Sequence, residues 1–242
     1  MLPFQRISDA VLAVVYPHQC GLCHNIVENS PDGAACGACW QKTNVFCGKE
    51  TLCEKCGVFL RESQTNAAVL CHKCSDHHYD FARAIGVYNN ALSATVIELK
   101  RTPHLPARIR ELLFAAFRNS SFYDSTLIVP VPLSAKRRYE RGFNQAAVIA
   151  NALSKETAIP FDEFSLVRKV HTPMHRAAMD GKARDLTVRN AFEVRRPKLI
   201  AGQNILLVDD VFTSGATVSY CAKVLKKNGA VKVNVLTLAR AV

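Results

Sequence analysis

The sequence lacks any apolar run long enough to cross a membrane. A spanning helix needs about 20 consecutive apolar residues, and no segment approaches that length. A nucleotide-binding loop of the Walker type, Gly-x4-Gly-Lys-Ser/Thr, is also missing. Near the N-terminus the apolar stretch 10–16 is short, Arg6 and Asp9 precede it, and no small-residue cleavage motif follows it. We therefore expect a chain that neither inserts into a membrane nor is secreted, and that resides in the cytoplasm.

Acidic residues are scarce in most of the chain. The 242 residues carry 31 Lys and Arg against 20 Asp and Glu, a net charge of +11. The first 80 residues hold six basic and eight acidic residues, so the remainder holds 25 against 12. A basic region of this size suits partners that carry phosphate. The shift in charge predicts two domains, 1–80 and 81–242, the first opening with an amphipathic helix before its cysteines.

Cysteine is abundant only in the first of these domains. Nine of the ten cysteines precede residue 75, and eight of them form four Cys-x-x-Cys pairs. The pairs are Cys20/Cys23, Cys36/Cys39, Cys53/Cys56 and Cys71/Cys74. A disulfide framework is the alternative, but this spacing is typical of tetrahedral zinc–thiolate sites, and cytoplasmic thiols stay reduced. The sequence predicts a zinc-ribbon domain with one or two structural zinc ions. Consecutive pairs or alternate pairs (a cross-brace) can share an ion.

The remaining two cysteines have other expected roles. Cys47 lies outside the spacing pattern and is expected to be a spare thiol, while Cys221 falls on the apolar side of a predicted helix. Four thiolates leave each zinc site at about −2, which makes the first domain acidic and a poor non-specific DNA clamp. We therefore expect the zinc domain to be structural or to bind a protein partner.

Strand and helix patterns alternate after residue 90. Buried strands are predicted at 126–131, 204–208 and 231–238, with amphipathic helices between them. Such alternation predicts an α/β domain with a doubly wound, mostly parallel sheet. Ligands of such sheets bind beyond the carboxyl ends of the strands.

The richest motif follows the strand at 204–208. Two acidic residues, Asp209 and Asp210, come at its end, followed by a small hydroxyl- and glycine-rich turn that opens a helix. The turn consists of Thr213, Ser214, Gly215, Ala216 and Thr217. Its backbone N–H groups and the helix dipole form a nest for one phosphate, and the acids suit a diol or Mg²⁺. Receiver domains also hold Mg²⁺ with an Asp pair, but the phosphate turn favours a sugar phosphate.

At these residues the chain resembles the type I phosphoribosyltransferases, and more closely the ComF/GntX family of competence and DNA-utilisation proteins. That family joins a cysteine-knuckle domain to this kind of body. Its I-V-P-V-P-L and R-R-x-x-R-G-F-N-Q stretches are matched at 128–133 and 137–145, and its T-P block at Thr172 and Pro173. Family members often carry Gln two residues after T-P-P, where this chain has Met174 and His175.

The resemblance implies a ligand and a role for each motif. Asp209 and Asp210 would hold the ribose hydroxyls of phosphoribosyl pyrophosphate (PRPP), bound with Mg²⁺, and residues 213–217 would cradle its 5-phosphate. The pyrophosphate loop would be Pro130, Val131, Pro132 and Leu133, with Lys100 reaching the same phosphates. The implied function is binding of PRPP and single-stranded DNA in DNA uptake (natural competence) or use of external DNA. The alternatives are a metabolic phosphoribosyltransferase acting on a base or amine, and a PRPP sensor without turnover.

Two basic tracts accompany these motifs. The first contains Arg137, Arg138 and Arg141, and the second contains Arg176, Lys182 and Arg184. Such tracts are often solvated surfaces. Their positions between the phosphate-binding segments also favour a lid over pyrophosphate or a track for a nucleic-acid backbone.

Overall fold

A four-stranded parallel sheet forms the centre of the computed structural model, which describes residues 18–60, 70–169 and 191–241. The strand order is β1-β6-β5-β2, and an antiparallel pair, β3-β4, lies apart from the sheet. The strands are β1 (Phe81–Val87), β2 (Leu127–Pro130), β3 (Leu166–Arg168), β4 (Phe192–Val194), β5 (Asn204–Phe212) and β6 (Lys232–Arg240). The parallel α/β sheet predicted from the sequence is confirmed.

Helices cover both faces of this sheet. They are α1 (Gly37–Gln41), α2 (Asn90–Leu99), α3 (Ala107–Arg118), α4 (Ala135–Arg141), α5 (Gln145–Thr157), α6 (Pro197–Ile200) and α7 (Ala216–Lys227). Helices α2, α3 and α5 bury residues such as Leu92, Ile109 and Leu153 in one core, whereas α7 buries Val218 and Leu225 in the other. The sheet is therefore doubly wound, as expected.

Strand β5 is longer than its apolar run. Its pairing with β6 continues through Val211 and Phe212, so Asp209 and Asp210 lie among the last four residues of the strand rather than after it. Strand β1 was not predicted, because its sequence Phe-Ala-Arg-Ala-Ile-Gly-Val contains few of the β-branched residues that mark a strand. The sheet holds it through six registered pairs with β6.

The two zinc ribbons pack against opposite faces of the sheet. Trp40 of the first ribbon belongs to the core under α2 and α3, and Cys53 of the second belongs to the core under α7. The segment between the ribbons lies along the free edge of β1, where the Val87 N–H donates to the Asn44 carbonyl at 2.9 Å. A Cβ at Gly86 would lie 2.2 Å from the Asn44 oxygen, so only glycine permits this approach. The ribbons thereby cover an edge that would otherwise be exposed.

No helix within the described ranges combines the length and the apolar character needed to cross a bilayer. The predicted N-terminal helix and the second basic tract, with Arg176, Lys182 and Arg184, lie outside the described residues, as do Thr172 and Pro173.

Candidate functional site

The eight knuckle cysteines form two compact clusters. Cys20, Cys23, Cys36 and Cys39 make one, and Cys53, Cys56, Cys71 and Cys74 make the other, with all sulfurs of a cluster within 4.8 Å of one another. The Cys20 and Cys39 sulfurs are 3.7 Å apart, and those of Cys53 and Cys74 are 3.6 Å apart. A tetrahedral site with Zn–S bonds of about 2.3 Å requires sulfur separations of about 3.8 Å. Both clusters therefore fit structural zinc, and consecutive pairs share each site rather than alternating ones.

One thiol in each cluster has a lowered pKa. Burial tends to raise the pKa of Cys53, but backbone N–H groups of Cys56 and Cys71 outweigh it and bring the pKa to about 6. The pKa of Cys20 is about 6 by the same balance. Burial and neighbouring sulfurs raise the pKa of Cys39 to about 12. Because zinc binds thiolates, each cluster offers one thiolate near neutral pH, and two thiols of raised pKa in each cluster must release their protons.

The two cysteines outside the clusters behave as expected. Cys47 is exposed, with its sulfur 3.2 Å from Glu50 Oε1, and Cys221 is buried in the core under α7.

The two acidic residues at the end of β5 have different surroundings. Asp210 Oδ2 accepts a hydrogen bond from Gln145 Nε2 at 3.3 Å and lies 3.7 Å from Lys100 Nζ, at the end of α2. Asp209 Oδ1 accepts the Asp210 N–H at 2.9 Å. Asp209 is half-buried. Its pKa lies well above the usual value, first through desolvation and then through the charge of Asp210.

The turn after β5 presents backbone donors at the start of α7. Thr213 and Ser214 are exposed, and Gly215, the N-cap residue, adopts a positive φ of 82°. Gly215 has no side chain to cap this helix terminus, and the Ala216 N–H makes only a long hydrogen bond, 3.4 Å, to Ser214 Oγ. Such a terminus with its dipole is suited to an anion of phosphate size.

The segment 130–133 lies beside the acidic end of β5. Pro130 pairs in register with Val208, and the Val131 N–H donates to the Val208 carbonyl at 2.8 Å. The buried Asn144 side chain donates to the Val131 carbonyl at 3.1 Å and accepts the Ala146 N–H at the start of α5. One asparagine therefore fixes both the turn and the helix that follows it.

Cationic side chains surround the carboxylates. Arg141 donates to Gln145 Oε1, which connects it through the Gln145 amide to Asp210. Arg168 on β3 forms a backbone bridge with Ser134. Desolvation lowers the pKa of Arg168, the charge of Arg137 lowers it further, and Asp209 opposes this. The cations exceed the two carboxylates in number, so the edge is suited to a ligand with more than one anionic group.

Other members of the first basic tract point elsewhere. Arg138 pairs with Glu163 at 2.8 Å, and Lys136 lies 3.9 Å from Glu140 on the exposed side of α4. Tyr139 is 92% exposed on the same helix. The tract is thus divided between the acidic edge of β5 and the surface.

Sequence reasoning missed several residues of this edge. Asn144 and Gln145 were recognised only as part of the motif at 137–145, and Arg168 was not singled out. A signal existed for the first two, since Asn is a favoured N-cap residue directly before an amphipathic helix. His77, which contacts Gly215, carried no signal because 138 residues separate the two.

Comparison with known proteins agrees with this architecture. Two family models match the chain, a double zinc ribbon domain over residues 11–76 and a phosphoribosyl transferase domain over residues 97–241. The DNA utilization protein YhgH of Salmonella typhimurium is 30% identical over 234 residues, covering 93% of this chain and 97% of its own length.

Two competence proteins match over similar lengths. Competence protein F of Haemophilus influenzae is 27% identical over 228 residues, covering 91% of each chain. Competence protein ComFC of Bacillus subtilis is 28% identical over 228 residues, covering 87% of this chain and 85% of its own length. The chain belongs to the family of YhgH and the ComF-type competence proteins, in which a double zinc ribbon precedes a phosphoribosyl transferase domain.

Proposed function

We propose that this protein binds PRPP with Mg²⁺ at the carboxyl edge of β5 and binds single-stranded DNA on an adjacent basic surface, acting in the uptake or use of DNA. The observation that carries the proposal is the juxtaposition, along one sheet edge, of a helix N-terminus with glycine as its N-cap residue, two carboxylates and a group of cations. The phosphoribosyl transferase domain and the names of the relatives support the same function.

Each part of PRPP has a chemical counterpart at this edge. The 5-phosphate suits the N–H groups of the turn Thr213, Ser214, Gly215, Ala216 and Thr217. The two ribose hydroxyls donate hydrogen bonds, which suits the carboxylates of Asp209 and Asp210. The pyrophosphate would lie against Pro130, Val131, Pro132 and Leu133, within reach of Lys100 and Arg141.

Magnesium fits the donor set in part. Mg²⁺ takes oxygen ligands and usually combines one or two carboxylates with substrate phosphates. Asp210 already accepts from Gln145 and lies near Lys100, so most Mg²⁺ ligands would come from PRPP and water. The ion would neutralise the pyrophosphate as a leaving group, and the chain's own residues would position the ribose.

The DNA-binding surface is proposed on the outer side of α4. Lys136 and Tyr139 are exposed there, and an exposed aromatic ring beside cations is a stacking platform for a single-stranded base. The excess of basic residues after residue 80 favours polyanion binding in general. Arg176, Lys182 and Arg184 would extend either this surface or a lid over pyrophosphate.

The remaining parts of the proposal concern the zinc domain and location. We place the division between the ribbon domain and the transferase-like domain near residue 80. Zinc–thiolate sites require reduced cysteines, which supports a cytoplasmic protein. The ribbons would also offer a surface to a protein partner.

Calorimetric titration with PRPP and Mg²⁺ tests the ligand. We expect the zinc-loaded protein to bind, and Asp210→Asn to weaken binding at least tenfold, because a neutral amide oxygen is a weaker acceptor than a carboxylate and the amide NH2 group only donates. Glu156→Gln, which changes an exposed carboxylate at the opposite end of α5 from Gln145, is the matched control and should bind as wild type. Absence of binding by the folded wild type would refute the proposal.

A gel-shift titration with a short oligothymidine tests the DNA surface. Tyr139→Ala should weaken the shift about fivefold, as expected for loss of one stacked base. Tyr123→Ala removes another highly exposed tyrosine, 84% accessible in the loop that leads into the amino end of β2, and should have no effect. A shift that does not weaken with rising salt, or equal effects of both variants, would contradict a phosphate-binding track on α4.

A further inference from the structure

The phosphate-binding turn and the second zinc ribbon are in direct contact. A Cβ on Gly215 would lie 2.7 Å from His77 Cε1 and 2.7 Å from Phe212 Cζ, so the Gly215 backbone packs directly on both rings. His77 comes three residues after Cys74, the last cysteine of the ribbon. A residue of the zinc domain thus forms one wall of the turn that opens α7.

The ribbon fixes the position of His77 from both of its knuckles. The His77 N–H donates to the Cys74 carbonyl at 3.2 Å, at the second knuckle. Lys55, between the two cysteines of the first knuckle, donates from Nζ to the His77 carbonyl at 2.7 Å. The position of the His77 backbone therefore depends on the position of both knuckles of the second ribbon.

The ring of His77 is also oriented by the core. Its Nδ1 lies 2.7 Å from the hydroxyl of Tyr79, which is 1% exposed. Tyr79 in turn packs edge-on against Phe212, with ring centroids 5.8 Å apart. The next residue, His78, donates its N–H to Ser219 Oγ at 3.0 Å, in the first turn of α7.

A second connection joins the same ribbon to the same turn. Arg240 at the end of β6 donates to the Cys56 carbonyl, and its guanidinium lies 4.3 Å from the centroid of Phe212. The first ribbon, by contrast, packs against α2 and α3 through contacts such as that of Arg108 with Asp32 at 2.9 Å. The contacts with the turn and the first turn of α7 come from the second ribbon.

We propose that His77 is a positioning residue for the phosphate-binding turn, through which the second zinc ribbon holds the turn in its binding conformation. This inference rests on the proposed binding of a 5-phosphate at that turn. An anion nest binds well only when its N–H groups are already oriented, because otherwise binding must also order the backbone. Removing His77 leaves space beside Gly215, and the turn loses a wall that defines its shape.

Separate titrations with ribose 5-phosphate and with Mg-pyrophosphate measure binding to each half of the proposed site. We expect His77→Ala to weaken the binding of ribose 5-phosphate about tenfold, measured by calorimetry. The affinity for Mg-pyrophosphate should stay within twofold of wild type. Tyr79→Phe keeps the packing but removes the hydroxyl that orients the His77 ring, and should weaken ribose 5-phosphate about threefold. His77→Phe restores a ring against Gly215 and should recover most of the affinity lost in His77→Ala.

His72→Ala is the control, because His72 belongs to the same ribbon and its side chain is exposed. It should bind both ligands as wild type, and every variant should retain its zinc by atomic absorption. Wild-type affinity for ribose 5-phosphate in both His77→Ala and Tyr79→Phe would overturn the inference, as would an equal loss for both ligands. Failure of the wild type to bind ribose 5-phosphate would instead refute the proposed function.

Discussion

Replacement of Asn144 should destabilise the fold through the loss of two interactions, whose contributions can be measured separately. The side chain is 3% exposed; its oxygen caps α5 through the Ala146 N–H at 3.1 Å, and its amide donates to the Val131 carbonyl at 3.1 Å. Loss of a cap costs about 1 kcal/mol, and loss of a buried partner for a carbonyl costs about 1–3 kcal/mol. Asn144→Ala should therefore lower the free energy of unfolding by roughly 2–4 kcal/mol.

A second variant separates the two contributions. Asn144→Ser retains a capping oxygen, but its side chain is too short to reach the Val131 carbonyl, so it should be about 1 kcal/mol more stable than Asn144→Ala. Urea unfolding of the zinc-loaded protein, followed by far-UV circular dichroism, measures both. Equal stability of the two variants would remove the capping contribution. Substitutions on a protein surface usually change the free energy of unfolding by less than about 0.5 kcal/mol. A change this small in Asn144→Ala would refute the assignment of Asn144 as the link between 130–133 and α5.

Three further predictions concern ionisation and ligand contacts. Gln145→Leu breaks the connection between Arg141 and Asp210 and should weaken PRPP binding about tenfold, measured by calorimetry. Arg138→Gln is the control, because Arg138 pairs with Glu163, and its affinity for PRPP should stay within twofold of wild type. Because the folded-state pKa of Asp209 is raised, the native protein loses stability as pH rises from the unfolded-state value through the folded one. Asp209→Asn should therefore raise the free energy of unfolding at pH 7 by about 1 kcal/mol, seen as a higher melting temperature, with no gain at pH 4; a gain at pH 4 alone would contradict this. In each cluster at least two thiols have raised pKa values, so zinc affinity should fall about 100-fold per pH unit below pH 7 in a chelator competition, and a flat profile would contradict it.

The parts of the fold with a local chemical pattern could be predicted from the sequence. Cys-x-x-Cys spacing indicated two zinc clusters, and the apolar run before Asp209 indicated a buried strand followed by a phosphate-binding turn. Both patterns arise within a few residues, where the requirements of metal geometry or of a strand–turn–helix unit act directly on the sequence.

The parts that depend on long-range packing could not be predicted. Strand β1 contains Ala, Arg and Gly at positions where only contact with β6 and the Asn44 backbone stabilises an extended chain. The contact of His77 with Gly215 joins two domains that composition had separated. The basic tract gave a total charge, but side-chain partners such as Glu163 for Arg138 decide which cations are available.

Comparison of three ligands in one calorimetric series tests the central claim most directly. If one sheet edge holds the 5-phosphate, the ribose hydroxyls and the pyrophosphate together, PRPP with Mg²⁺ should bind at least 100-fold more tightly than either ribose 5-phosphate or Mg-pyrophosphate alone, since binding of one half orders the other. The ratio between the affinity for PRPP and the affinity for either half should fall at least tenfold in Asp210→Asn, because Asp210 is proposed to hold the ribose that joins the two phosphate groups. PRPP that binds no more tightly than Mg-pyrophosphate would show that the edge attracts anions only, and would contradict a site for a phosphoribosyl group.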